Sequence, residues 1–330
     1  MKDTGKFVVS LDFELMWGVR DLVTTQTYGQ HLLGVQQALP GILSAFSKYQ
    51  IKGTFATVGF LFFQNKNELL QHLPASIPAY AEKILSPYGD YLQQDIGQNE
   101  EDDPYHFGLH LIQLIQNTPG QEIGTHTFSH YYCLENGQTE TNFRDDLKAA
   151  IDIAQKRGIK ITSIIFPRNQ VNDSYLNTCK EFGIIAYRNN QKSWIYHARS
   201  GKQESLVRRA VRLLDAYVNI SGHHCYTHQY MGKCLPVNIP GSRFLRPYTN
   251  RLRWLENLRL NRIKKSMTYA AKNNLMYHLW WHPHNFGINQ AFNFAFLEKI
   301  LEHYLYLNNK YAFTSYTMSE LAQEILKEKK

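Results

Sequence analysis

Residues Lys6–Phe13 (KFVVSLDF) form an apolar, β-branched run with little polar interruption, the pattern of a strand buried on both faces. Residues 31–49 instead repeat apolar positions at three and four (Leu32, Val35, Leu39, Leu43, Phe46). That spacing predicts an amphipathic helix, with Pro40 as a kink or break. Further short strands are predicted at 53–59, 122–126, 159–166, 183–187 and 275–281. Helical stretches are predicted at 78–85, 107–116, 142–157, 174–182, 292–307 and 318–327. The helix over 142–157 carries Phe143, Leu147, Ile151 and Ala154 on one face and stops at Gly158. The acidic run at 100–103 reads as a solvated turn.

Strands alternating with helices predict a parallel sheet with helical cover, whose sites are built at the carboxyl edge of the strands. Residues 188–274 break the alternation and read as a long insertion within one domain spanning 1–330. The chain of 330 residues is 43% hydrophobic, with 21 Tyr and 18 Phe, so a packed core is expected. No run of eighteen apolar residues is present to span a membrane. The N-terminus enters a strand almost at once, without a secretory pattern, so the expected location is cytoplasmic. Cys133, Cys179, Cys225 and Cys234 lack a C-x-x-C pair and read as reduced thiols.

Candidate chemistry gathers where the predicted strands end. His126 and His130, in Gly124-Thr125-His126-Thr127-Phe128-Ser129-His130, are four residues apart. In a helical turn that spacing brings two imidazoles to one face, close enough for one zinc-like ion. Asp12 and Glu14 flank Phe13 and point to one side of the first strand. One carboxylate can complete the metal site while the other stays free as a general base; a loop-capping role for both is the alternative. Arg168, after Pro167, can hold a carboxylate ionised, or be an ordinary surface arginine. His282 emerges from an apolar strand before Pro283, as a functional group or as a satisfied core histidine; His278 and His284 have weaker claims.

Together these residues resemble the polysaccharide deacetylase (NodB-like) family. Its acid-x-acid first motif is similar to Ser10-Leu11-Asp12-Phe13-Glu14, and its His-(Ser/Thr)-x-x-x-His motif to His126 through His130. Its Arg/Pro motif resembles Pro167-Arg168-Asn169, and its late His motif resembles His282-Pro283. The resemblance implies a distorted parallel (β/α) barrel of about seven strands with helical insertions. It implies metal-dependent removal of an N-acetyl group from an amino sugar, in a polysaccharide or a lipid- or nucleotide-linked glycan precursor. By family role Asp12 is the base, with Glu14, His126 and His130 on a divalent metal (Zn2+ foremost, Co2+ or Ni2+ as alternatives). Arg168 orients Asp12, and His282 is the acid. Two departures stand out: the commoner first motif has adjacent aspartates, so Asp12 and Glu14 can exchange roles, and Arg168 follows its proline instead of preceding it.

Two other segments draw attention. His224 and His228 repeat the four-residue spacing beside Cys225 and Cys234, but no carboxylate pair frames them, so packing in the insertion or lining the cleft is the favoured reading. Between Arg243 and Lys265 there are eight Lys or Arg and one acid, Glu256, within a net charge of +8. A surface helix packed on the barrel is the plain reading. The sharper one is contact with an anionic membrane surface, peripheral at its inner face, or with a lipid-pyrophosphate carrier. No nucleic-acid recognition fold is visible, and nucleic acid is not an expected partner. Two alternative functions remain: another C–N hydrolase acting on a small amide or cyclic ureide, and an inactive carbohydrate-binding relative.

Overall fold

The computed structural model describes residues 4–197 and 205–327. Residues 198–204 of the stretch read as an insertion, and the first three of the N-terminal run, lie outside them. The strands are β1 (Lys6–Phe13), β2 (Gly53–Thr57), β3 (Glu122–Thr125), β4 (Ser163–Ile165), β5 (Ala186–Arg188), β6 (Val237–Asn238), β7 (Arg243–Phe244), β8 (Met276–Trp281) and β9 (Thr314–Tyr316). The helices are α1 (Thr25–Leu33), α2 (Val35–Tyr49), α3 (Lys66–Leu70), α4 (Leu109–Gln116), α5 (Glu140–Lys156) and α6 (Leu176–Glu181), then α7 (Leu206–Asp215), α8 (His228–Met231), α9 (Glu256–Lys272), α10 (Gln290–Tyr311) and α11 (Met318–Lys327).

The strand order is β6-β5-β4-β3-β2-β1-β8-β7, with β9 also paired to β1, and every pair is parallel. β1 anchors this sheet because it pairs with three strands. Val9 to Phe13 face β2, Lys6 to Leu11 face β8, and Lys6 to Val8 also meet β9. The two edges of the curled sheet come together through backbone rather than through a ladder. Gly241 N–H donates to Asn189 O at 2.9 Å on one edge, and Ser242 N–H to His278 O at 2.8 Å on the other. The result is a distorted parallel barrel.

Alternation along β1 sorts its side chains into two environments. Phe7, Val9, Leu11 and Phe13 join the large core shared with Leu39, Leu43 and Phe46 of α2. Val8, Ser10 and Asp12 point into the barrel. Val8 lies at its floor with Ala56, Ile165, Ala186, Val237, Ile239 and Met276, an apolar plug. Above the plug the interior turns polar, with Ser10 and His278 in one layer and Asp12 with Arg188 in the next.

Several local expectations shift. Helices α1 and α2 meet at Gly34, and Pro40 lies inside α2 without ending it. A Cβ on Gly34 would lie 1.9 Å from the carbonyl oxygen of Gly287, so the break occurs where this turn touches the loop after His282. The stretch predicted helical at 78–85 holds only a short turn of helix at Lys83–Leu85. Asp103 is buried, not solvated, because it accepts from Gly97 N–H at 2.8 Å and pairs with His106 Nδ1 at 2.7 Å. The stretch 188–274 contributes two strands, β6 and β7. Both are two residues long, too short to leave a period in the sequence.

Candidate metal centre and acid–base pair

β1 delivers Asp12 and Glu14 to the carboxyl edge on the same side, both buried. Glu14 folds back over a short 3-10 turn, Leu15–Gly18, where a Cβ on Gly18 would lie 2.0 Å from the Glu14 carboxyl carbon. Only glycine leaves room for that carboxylate.

His126 and His130 follow β3, but not on a helical turn. They occupy a tight loop in which Thr127 (φ 65) and His130 (φ 60) are left-handed. A carboxylate from α5 sets that shape: Asp146 accepts from Phe128 N–H at 2.7 Å, from Ser129 N–H at 3.1 Å and from the Ser129 hydroxyl. Thr127 Oγ1 takes the N–H of Tyr131 at 2.7 Å. The loop leaves the two imidazole rings 5.0 Å apart. Sequence spacing is therefore converted into proximity by side chain to backbone hydrogen bonds.

Glu14, His126 and His130 form the one group of metal-capable residues among those described, with one donor atom from each all within 4.8 Å of one another. Glu14 Oε2 lies 3.1 Å from His130 Nε2 and 3.3 Å from His126 Nε2. His126 Nδ1 is 2.8 Å from the Ile165 carbonyl, which can only accept, so Nδ1 carries a proton and Nε2 is turned toward Glu14. The three donor atoms converge on one point, the arrangement a divalent cation requires. Burial pushes His130 down to about 4, against the pull of Glu14, so its imidazole is neutral. Burial also opposes ionisation of Glu14, yet His282, His126 and His130 hold it well below the usual carboxylate range. Two imidazoles and one carboxylate fit a zinc-like divalent ion.

Asp12 faces a different partner from the one the sequence suggested. Arg188, at the end of β5, forks onto it with Nη1 to Oδ1 and Nη2 to Oδ2, both at 2.7 Å. Arg188 Nη1 also donates to Ser10 Oγ at 2.9 Å, Nη2 to Asn169 Oδ1 at 2.9 Å, and its guanidinium stacks over Trp280 at 4.1 Å. Arg168 turns away to pair with Asp21 and lies 4.4 Å over the Tyr132 ring. The reason is local: Arg168 (φ 54) and Asn169 (φ 52) are both left-handed, and of that turn it is Asn169 that reaches the Asp12 assembly. Burial works against the Asp12 charge, and Arg188 with His126 and His282 overcomes it, holding the carboxyl below its ordinary value.

Behind Arg188 the polar column continues. His278 Nδ1 is 3.2 Å from the Ile239 carbonyl and its Nε2 is 2.7 Å from Ser10 Oγ. The carbonyl fixes the proton on Nδ1, so Ser10 donates to Nε2 and accepts from Arg188. Each donor in this chain has one acceptor.

His282 closes the arrangement. Its Nε2 is 3.7 Å from Asp12 Oδ2 and 3.6 Å from Glu14 Oε1, and Nδ1 is 3.4 Å from Asn285 Oδ1. The ring stacks on His284 at 4.9 Å and meets Phe244 edge-on. Its side chain is 23% exposed against 4% for either carboxylate, so His282 is the member of the group open to solvent.

Five of the six candidates converge, and Arg168 does not. Missed were Arg188, Ser10, Asn169, Asp146 and the use of His278. Asp146 did leave a signal, an acid on the apolar stripe of α5 between Phe143 and Leu147. Arg188 left a weaker one, a charge directly after a predicted buried strand. The second histidine cluster forms no metal-capable group among the described residues. His224 Nε2 is 2.7 Å from Ser221 Oγ, and Cys225 Sγ contacts backbone carbonyls.

A parallel barrel here carries, at its carboxyl edge, a Glu-His-His cluster with the donor set of a divalent-metal site and a buried carboxylate beside it. The family model for polysaccharide deacetylases matches residues 2–187, and the chain belongs to that family. Among solved structures, it is similar to a Mycobacterium smegmatis protein assigned as a polysaccharide deacetylase (14% identity, TM-score 0.59, covering 100% of this chain and 93% of that one). It is also similar to a probable polysaccharide deacetylase from Pseudomonas aeruginosa PAO1 (10% identity, TM-score 0.50, 97% and 89% covered). The same fold likeness extends to the Puue allantoinase (11% identity, TM-score 0.51, 97% and 88% covered). No curated protein matches the chain.

Proposed function

We propose that the chain is a metal-dependent N-deacetylase acting on an N-acetylated amino sugar, in a polysaccharide or a lipid- or nucleotide-linked glycan precursor. The observation that carries this reading is the placement of Asp12 and His282 beside the Glu14, His126 and His130 cluster, with His282 Nε2 within 3.7 Å of both carboxylates.

Glu14, His126 and His130 would hold the divalent ion, Zn2+ foremost. When bound, such an ion supplies Lewis acidity, acidifying water and polarising the acetamide carbonyl. Asp12, kept ionised and fixed in orientation by Arg188, accepts the proton of the attacking water. His282 then gives a proton from Nε2 to the leaving nitrogen, and its solvent exposure lets it recharge between turnovers. The products are acetate and a free amine. The buried position of both carboxylates keeps bulk water from competing for these contacts.

We further place the reaction on the cytoplasmic side of a membrane, where lipid- and nucleotide-linked precursors are handled. Among the described residues no helix is long and apolar enough to cross a membrane.

The test pairs metal content with product release. Wild type purified without added metal is expected to hold about one equivalent, and the His126→Ala/His130→Ala variant almost none. Acetate release from N-acetylated sugars, in parallel with hydrolysis of small amides and cyclic ureides, fixes the substrate class. Turnover of a ureide without acetate release, or metal retained by the double variant, would overturn the reading.

A further inference from the structure

Helix α7 is amphipathic in the reverse sense from α2 or α5. Its buried residues are Arg208 and Asp215, while Leu206 is 78%, Val207 70% and Leu214 56% exposed. At helical spacing Leu213, Leu206, Ala210, Leu214 and Val207 share one arc of about 120°, opposite Asp215 and Arg208. The polar face is turned inward. Asp215 accepts from the Tyr196 hydroxyl at 2.6 Å, from Ser221 N–H at 2.8 Å and from Ile220 N–H at 3.0 Å, and pairs with Arg243 at 3.2 Å. Arg208 Nη2 donates to the carbonyls of Trp194 and His197 at 2.9 and 3.0 Å. The apolar face is left outward, and it is extended by exposed Val218 and Ile220 and by Trp194, 59% exposed and 6.0 Å from the Arg208 guanidinium.

We propose that this face of α7 lies on an anionic membrane surface. A patch of this kind is uncommon on a surface that meets only water. Its charges select the partner. Arg208 and Asp215 of α7 are turned inward, and Arg209 is exposed and borders the apolar arc, in a chain of net charge +8. Exposed Arg251 and Arg253 flank exposed Trp254 just before α9, whose Arg259 is within electrostatic reach of Tyr217. Tryptophan and arginine beside aliphatic side chains suit the headgroup boundary, where the ring is half-solvated and the cation meets lipid phosphate. A symmetric second copy would set these arginines against their own counterparts. Ten residues rise about 15 Å, so the helix lies in the interface rather than crossing it. Of the basic stretch 243–265, the exposed Arg251, Arg253 and Trp254 join this surface, while Arg243, Arg259 and Arg262 are buried. The proposal stands independently of the deacetylase reading.

The test is co-sedimentation of the full chain with vesicles of phosphatidylcholine alone and of about 7:3 phosphatidylcholine to phosphatidylglycerol. Wild type is expected on the anionic vesicles only, and Leu206→Glu/Leu214→Glu is expected to lower that binding at least about tenfold. Both positions are exposed, and an unchanged melting temperature confirms a folded variant. Should the variant fail to fold, Trp194 decides. Its emission should shift to the blue on anionic vesicles in a Trp254→Phe background, and Trp194→Phe in that background should lose the shift. Wild type that ignores anionic vesicles at low salt overturns the proposal. So does a wild-type dimer by light scattering that the double variant dissociates, because a second copy then covers the face.

Discussion

Substituting Arg188 by Met would strip the buried Asp12 carboxylate of its fork partner while keeping most of the side-chain volume against Trp280. Asp12 would lose both 2.7 Å donors, and Ser10 and Asn169 would lose theirs. Breaking one side of a buried ion pair typically costs about 3–5 kcal/mol. The electrostatic effect has a definite sign. Asp12 titrates below its ordinary value in the native protein, so its contribution to stability is present above the unfolded carboxylate range and is lost as pH falls through the native value. Without Arg188, burial dominates and the carboxyl should rise above its ordinary value. The stability difference between wild type and variant is then widest at neutral pH and has narrowed at acid pH, once pH has fallen through the variant's raised value toward the wild-type one. Carbon-detected NMR titration of Asp12 in metal-free protein, with urea denaturation at both pH values, reads these effects without any substrate. Once a substrate is in hand, the acid limb of kcat/KM should move upward with the carboxyl. Arg168→Met, which releases only Asp21 and Tyr132, is the control. An Asp12 titration unmoved in Arg188→Met, or moved equally in Arg168→Met, would refute the reasoning.

His282→Ala should lower kcat by about 10²–10⁴-fold while the bound metal stays at wild-type level, read by mass spectrometry on the same sample. Loss of metal would move His282 into the ligand set. Ser10→Ala leaves His278 Nε2 and Arg188 Nη1 each short of a partner, a cost of about 1–3 kcal/mol, and should lower kcat more than it changes KM. Recovery in Ser10→Thr would tie the loss to the hydroxyl, and an unaltered kcat in Ser10→Ala would remove Ser10 from the positioning chain. Asp215→Asn should destabilise the fold by about 3–5 kcal/mol in urea, because Arg243 and Arg262 lose their shared buried counter-charge. Asp215 is held below its ordinary value, burial being outweighed by Arg243, so in wild type this stabilisation is expected to fade at low pH.

What the sequence revealed depended on whether a period or a motif recorded it. β1 was legible because eight consecutive buried residues carry the signature of a two-sided strand. The His126 and His130 pair and the Asp12 and Glu14 pair were legible as residues, since their spacing survives whatever backbone carries them. The backbone itself was not: the four-residue step suggested a helical turn, whereas left-handed Thr127 and His130 build a loop. Arg168 was misplaced for a similar reason, because two left-handed residues reverse the turn and no local propensity demands φ > 0 at an arginine. Arg188 is paired with a residue 176 positions away, a contact that only the closed sheet creates. β6 and β7 are held by register with their neighbours, not by any preference of their own.

The carboxylate of Asp146 gives the histidine loop an address outside itself. Grafting Gly124 through His130 onto another barrel would carry the ligands but not the hook that bends them, and the graft would relax toward ordinary turn geometry. Portability therefore belongs to a unit of two parts, the loop and the α5 segment that presents Asp146 from its inward stripe. The same linkage means that the affinity of the proposed site for an ion would drift through changes that never touch Glu14, His126 or His130. A repacked Phe143 or Leu147 would tilt the helix, the hook would follow, and the histidines would reach the ion at the wrong angle while the rest of the fold stayed sound.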